Sequence, residues 1–176
     1  SWEFLTDEKW LGLDPRMLAV SVFKGDKDAV RDGEAAGYWR GVGIPEERIA
    51  YFGKENNWWG PAGQTGPCGP DTEMFYWVGK QQIPPQRSNP ETDESNWLDI
   101  WNDVFMQFNK TRQGSYEPLL QKNVDTGMGL ERTLVALNGF DDVFHVDTFR
   151  PLIEKIEELS GLAYDTGIHV KRSMRI

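Results

Sequence analysis

A chain of 176 residues has room for one domain, or for one domain and part of another, and its 19 Lys and Arg against 28 Asp and Glu (net −9) exclude a free-standing basic nucleic-acid binder. One cysteine, Cys68, and two histidines, His145 and His169, exclude a disulfide framework, a Cys-rich zinc cage and a multi-histidine metal site. No apolar run approaches the ~18 residues of a membrane span and no signal segment opens the chain, so a soluble, cytoplasmic protein without membrane contact is expected.

The chain opens inside an amphipathic pattern (Trp2, Phe4, Leu5) and closes on a basic, apolar stretch ending at Ile176, which reads as a piece of something longer. Residues 18–23, rich in branched and aromatic side chains between Pro15 and Gly25, predict a buried strand. Residues 26–39 carry apolar side chains at helical spacing and stop at Gly41. Pro45 begins a single helical turn over 45–48, which feeds a short strand over 49–52.

Residues 53–71 hold five Gly and three Pro, a density that predicts a string of turns rather than a regular element. Three strands are predicted next, over 72–78, 97–108 and 116–120, with a polar surface loop over 80–95 between the first two. Consecutive strands without intervening helices favour an antiparallel sheet. Residues 123–139 read as a strand turning into a helix whose buried face is marked by Leu130, Leu134 and Leu137. A second helix over 147–160 has Phe149, Leu152, Ile153, Ile156 and Leu159 at helical spacing.

Two stretches could carry chemistry. In the first, Asp125-Thr-Gly-Met-Gly-Leu-Glu-Arg132, a strand ends in two glycines and enters a helix. The glycines let a ligand approach the backbone, the helix N-terminus favours an anion, and Arg132 adds a full charge. A tight connection with a surface ion pair would look the same. In the second, residues 97–109, strict alternation puts Leu98, Ile100, Asn102, Val104, Met106 and Phe108 on one face and Trp97, Asp99, Trp101 and Asp103 on the other. Asn102 beside Val104 offers a polar anchor and a small apolar contact of the kind a small amino acid needs; a central strand with scattered satisfied polar groups is the other reading. Lone Cys68 reads as a small buried hydrophobe, and the pair Trp58 and Trp59 as core or, beside so many glycines, as the wall of a pocket. The Walker spacing and Gly-x-Gly-x-x-Gly are both absent, which argues against a P-loop or dinucleotide fold.

Four segments in order, Asn56-Asn-Trp-Trp, Gly63-Gln-Thr-Gly-Pro-Cys-Gly-Pro-Asp-Thr-Glu-Met-Phe-Tyr, Asp99-Ile-Trp-Asn-Asp-Val-Phe-Met-Gln-Phe-Asn and Val124-Asp-Thr-Gly-Met-Gly-Leu-Glu-Arg, resemble the second half of the catalytic domain of the alanyl-tRNA synthetases, a class II family. The resemblance implies an α+β fold, an antiparallel sheet flanked by helices that runs into a helical segment. It implies that residues 1–139 are the second half of the catalytic domain, with motif 3 at 125–132. Residues 140–176 would be the start of a helical tRNA-recognition region.

The same resemblance assigns Arg132 to the γ-phosphate of ATP as the catalytic cation, with Gly129 beside the nucleotide. It puts Asp125 on the α-ammonium of alanine, with Asn102, Val104, Gly127 and Trp59 around that substrate. Glu73 and Asp99 would contact ATP and organise its Mg²⁺. Motifs 1 and 2 are expected before Ser1, so that the isolated chain would be inactive or very weak, and tRNA(Ala) would be met largely outside it. The chain departs from the family in Asp71, where a second cysteine is common, and in Gln64, where Asp is customary. A non-catalytic relative that keeps an amino-acid or adenylate pocket is the alternative implied.

Overall fold

The computed structural model describes residues 1–175, which divide into two compact units, one over 1–129 and one beginning at Leu130. The first is built on six strands: β1 (Leu18–Phe23), β2 (Ile49–Phe52), β3 (Trp58–Trp59), β4 (Gly66–Trp77), β5 (Trp97–Lys110) and β6 (Tyr116–Met128). Their order is β2-β1-β4-β5-β6, with β3 on the margin of β4. The β1–β2 pair is parallel and the other pairs are antiparallel. Two helices, α1 (Trp2–Thr6) and α2 (Gly33–Gly41), belong to this unit, and the mixed α+β architecture agrees with the fold expected from the sequence.

β1 is central and buried at all six positions, as its branched, apolar composition predicts. Its one polar side chain, Ser21, is fully buried. At one end of the sheet Ala19, Phe75, Trp77 and Trp97 form an aromatic core. The loop over 80–95 crosses there, held by Arg48, whose guanidinium donates to the carbonyls of Ser88 and Pro84 and lies 5.1 Å from the Trp97 ring. Burial pushes the Arg48 pKa down.

Several expectations need correction. The helix predicted from residue 26 begins at Gly33, because the Asp26 carboxylate accepts from the amides of Asp28 and Ala29 and closes a turn first. Asp32 then caps the helix through the Ala35 amide. The Gly- and Pro-rich stretch is not all turns, since β4 starts at Gly66. The strand tolerates Pro70 because its register with β5 breaks between Cys68 and Asp71, and Pro67 sits at its second residue. Gly69 is required there: a Cβ would run into the Phe105 carbonyl of β5. Of the eight tryptophans, Trp77 and Trp97 are buried in the aromatic core, whereas Trp10 is 58% exposed.

The second unit contains α3 (Leu130–Asn138), α4 (Arg150–Ser160) and α5 (Ile168–Met174). Ile153, Tyr164 and Met174 form its core, with Phe144, Ile156 and Val170 packed around them. Asp142 ties it together, accepting from the Phe144 amide, the Tyr164 hydroxyl, Lys171 and Arg175. Burial alone would raise the Asp142 pKa, and these donors hold it below the usual carboxylate range. The faces predicted for the two longer helices are buried only in part: Ile153 and Ile156 of the second do face the core, but most of the leucines do not. Leu130, Leu137, Leu152 and Leu159 are exposed, whereas Val135, Ala136 and Ile153 are buried.

Candidate functional site

Directly opposed residues on neighbouring strands share a face. The register pairs Ser21 with Glu73, Glu73 with Asn102, and Asn102 with Gly127, so one row crosses four strands. The adjacent row is Asp71, Val104 and Asp125. Five residues singled out from the sequence, Glu73, Asn102, Val104, Asp125 and Gly127, therefore lie together on what we call the front face.

Asp99 joins them, contrary to strict alternation. β4 and β5 slip between Met74 and Phe75, so that Met74 faces Trp101 while Phe75 faces Asp99. The extra residue, Ile100, restores Asp99 to the side of Phe75, Glu73 and Asn102. A bulge of this kind re-aims a side chain that periodicity alone assigns wrongly.

Beneath the rows runs a chain of hydrogen bonds. Asn57, fully buried, donates from Nδ2 to Ser21 Oγ (2.8 Å) and to Asp71 Oδ1 (3.1 Å). Ser21 Oγ donates to Glu73 Oε2 (3.3 Å), and Asn102 Nδ2 donates to Glu73 Oε1 (3.5 Å). Asp71 is 4% exposed, and its pKa is raised to about 6. Burial is the main cause, opposed by the Asn57 amide and reinforced by the charge of Asp99.

Sequence reasoning assigned no role to Asn57 or Ser21 and met Asp71 only as a departure. The available signal was a single hydroxyl inside the otherwise apolar run 18–23. A buried polar group must find a partner, and that partner is a functional candidate when it lies on an open face.

The remaining residues are placed as follows. Trp58 packs against Phe23, Phe108 and Tyr116, whereas Trp59, opposite Gly69, is 41% exposed. At Gly127 no atom stands within 4 Å of where a Cβ would be. The Gly129 amide donates to the Ile100 carbonyl (2.9 Å), closing the end of β6 before α3. Arg132 is on the first turn of α3, in the second unit. Among the described residues no three His, Cys, Asp or Glu side chains are grouped to hold a metal ion. Glu73 and Asp99, both partly exposed on one face, fit an ion whose other ligands are phosphates and waters, which is how Mg²⁺ is commonly held.

The opposite face is built differently. Trp39 Nε1 donates to Thr72 Oγ1 (2.8 Å), which donates to the Ser21 carbonyl (2.5 Å). Trp101 Nε1 donates to Thr126 Oγ1, and Thr126 donates to Asp103. A groove of about 230 Å³ on this side, lined by Tyr38, Phe105 and Val124 among others, borders none of the front-face residues.

Comparison with known proteins covers the whole chain. The alanine–tRNA ligase of Treponema denticola is 48% identical over 178 residues, covering 100% of this chain and 29% of that protein. That of Borrelia hermsii is 46% identical over 176 residues, covering 100% of this chain and 30% of that protein. That of Treponema pallidum is 46% identical over 179 residues, again covering 100% of this chain and 29% of that protein. The chain thus spans 29–30% of the length of these curated relatives. The profile of the family described as "tRNA synthetases class II (A)" matches residues 1–176. With the match unbroken from first residue to last, over a sheet whose open face gathers the motif side chains into two rows, the chain belongs to the class II (A) tRNA synthetases.

Proposed function

We propose that this chain is part of the catalytic region of a cytoplasmic alanine-tRNA ligase, which joins alanine to ATP as alanyl-adenylate and passes the alanyl group to tRNA(Ala). The observation that carries this reading is the clustering of Asn102, Val104, Asp125 and Gly127 on one open face of a chain with 48% identity to such a ligase over its whole length. Residues 140–176 would begin the part that meets tRNA.

The reaction is attack of the alanine carboxylate on the α-phosphate of ATP, with pyrophosphate leaving, and needs no side-chain nucleophile. The protein therefore works by positioning and by stabilising charge. Asp125, an exposed carboxylate at the strand margin, accepts hydrogen bonds from the alanine ammonium, the charge-assisted pairing an ammonium favours. Val104 supplies a small apolar contact, and Gly127, without a side chain, keeps the row open beside Asn102. Trp59 walls the pocket.

Arg132 meets the γ-phosphate, and Gly129 keeps the backbone beside it free of a side chain. Mg²⁺ would supply charge neutralisation on the phosphates, with Glu73 and Asp99 holding it directly or through water. Such a pocket cannot discriminate sharply by packing, because one methylene is worth only ~1–3 kcal/mol and a hydroxyl-bearing near-isostere is hard to reject. Glycine and serine should therefore be activated weakly.

The test is alanine-dependent exchange of pyrophosphate into ATP by the full-length protein and its Asp125→Ala variant. Loss of one charge-assisted contact predicts a fall of roughly 10- to 150-fold in kcat/KM for alanine, with ATP binding retained. Undiminished exchange in the variant would remove Asp125 from the site. Alanine binding without exchange in the unaltered protein would mark an amino-acid-binding module instead of an enzyme.

A further inference from the structure

Resting on that reading, we propose that Asn57 and Ser21 are positioning residues that act through Glu73 to fix the orientation of the Asn102 amide, and so set the affinity for alanine. The two ends of an Asn side chain have nearly the same shape and opposite chemistry, and only a neighbour that is purely a donor or purely an acceptor can choose between them. An ionised carboxylate is purely an acceptor. Glu73 beside Asn102 therefore draws Nδ2 inward, at 3.5 Å, and leaves Oδ1 as the end presented to a substrate. An ammonium is purely a donor, so this orientation, with Asp125 on the next row, gives the site two acceptors for it.

Glu73 can hold Asn102 only if its own carboxylate is held. It is only partly buried, and its second oxygen is engaged from below by the Ser21 hydroxyl at 3.3 Å. A hydroxyl rotates freely and can donate or accept. Asn57 Nδ2, 2.8 Å from Ser21 Oγ, occupies the accepting side and thereby points the Ser21 proton at Glu73. Asn57 itself is clamped by its backbone, its amide donating to the Gly53 carbonyl (2.8 Å) and its carbonyl accepting from the Asp71 amide (3.3 Å).

The fold sustains this arrangement at a cost, since Asn57 Oδ1 is buried without a hydrogen-bond partner. The register supports the relay independently of any hydrogen bond: Ser21, Glu73 and Asn102 are opposed in one row on three neighbouring strands.

Ser21→Ala in the full-length protein removes one hydroxyl from the middle of the relay. Steady-state pyrophosphate exchange should show a KM for alanine raised about 3- to 10-fold. Because the Glu73 carboxylate itself stays in place for Mg²⁺ and ATP, and only its grip on the Asn102 amide is loosened, the KM for ATP and kcat should change by less than about twofold. KM does not depend on the fraction of enzyme that is folded, so partial loss of stability leaves the result readable. In a cycle with Glu73→Gln, the combined effect on alanine KM should fall short of the product of the two single effects, because both variants interrupt one path.

An unchanged alanine KM in Ser21→Ala overturns the relay, as does a multiplicative cycle. An equal rise in both KM values would reveal a general loosening of the sheet and overturns it as well. Asp125→Ala separates the two levels of the argument. If it raises alanine KM while Ser21→Ala does not, only the relay fails; if neither does, the amino-acid reading of the face fails with it.

Discussion

The front and back of the same three strands, β4, β5 and β6, carry polar residues in comparable numbers and use them for different ends. On the back, Thr72, Asp103 and Thr126 are paired with Trp39, Trp101 and one another. Each bond there joins protein to protein, and α2 contributes the Trp39 partner. On the front, the hydrogen bonds start in the buried Asn57 and run outward through Ser21 and Glu73 to the half-exposed Asn102, beside the exposed Asp125. A polar network that closes on itself stabilises a fold, and one that ends at an open face holds side chains ready for a ligand.

The comparison is sharpest at Thr72. Thr72→Val deletes a buried hydroxyl that both accepts from Trp39 and donates to the Ser21 carbonyl, and so removes one hydrogen-bond partner from each of two buried groups. At ~1–3 kcal/mol for each, denaturant unfolding should show a loss of roughly 2–6 kcal/mol. The alanine KM of the folded protein should stay within about twofold. A large rise in KM with little loss of stability would mean that the back is part of the site.

Asp71 tests the cost of the front. Its native pKa of about 6 lies above the ordinary 3.8, so the folded protein holds a proton that the unfolded chain has released between those values. Stability contributed by this group is thus present below pH ~4 and declines as pH rises through ~6. Asp71→Asn, which is neutral throughout, should gain on the unaltered protein over that window. The expected total is up to about 3 kcal/mol, measured as the difference between the two unfolding free energies at each pH. A constant difference between pH 4 and 7 would show that Asp71 is not strained by burial.

The smallest effect on stability is expected at Trp59. Trp59→Ala should shift unfolding by less than about 1 kcal/mol, because the ring is already 41% exposed, yet raise alanine KM several-fold. Trp58→Ala, which empties a place among Phe23, Phe108 and Tyr116, should do the reverse. An exchange of these outcomes would reassign the pocket wall.

Much of the fold is legible in the sequence where a single local rule dominates. The apolar run at 18–23 is a buried strand, and the polar stretch at 80–95 is a loop. Where two local rules compete, the reading fails. Gly and Pro at 66–70 argue for turns, but pairing with β5 draws them into β4. Leucines at helical spacing in α3 and α4 leave the choice of buried face open, because apolar residues flank the stripe on both sides. Asp99 was legible as a candidate by its type and illegible in its direction, since one extra residue at Ile100 reverses the alternation.

Sequence alone determined the order of the elements and the residue types of the motifs, down to the carboxylate at 125, the amide at 102 and the arginine at 132. Those are properties of short segments, written in spacing and composition. Only the tertiary structure decided which of those side chains are neighbours, that Asp99 shares their face, and that Asn57 and Ser21 stand beneath them. The physical reason is that register and the pairing of buried polar groups join strands far apart in the chain, and no local period carries that information.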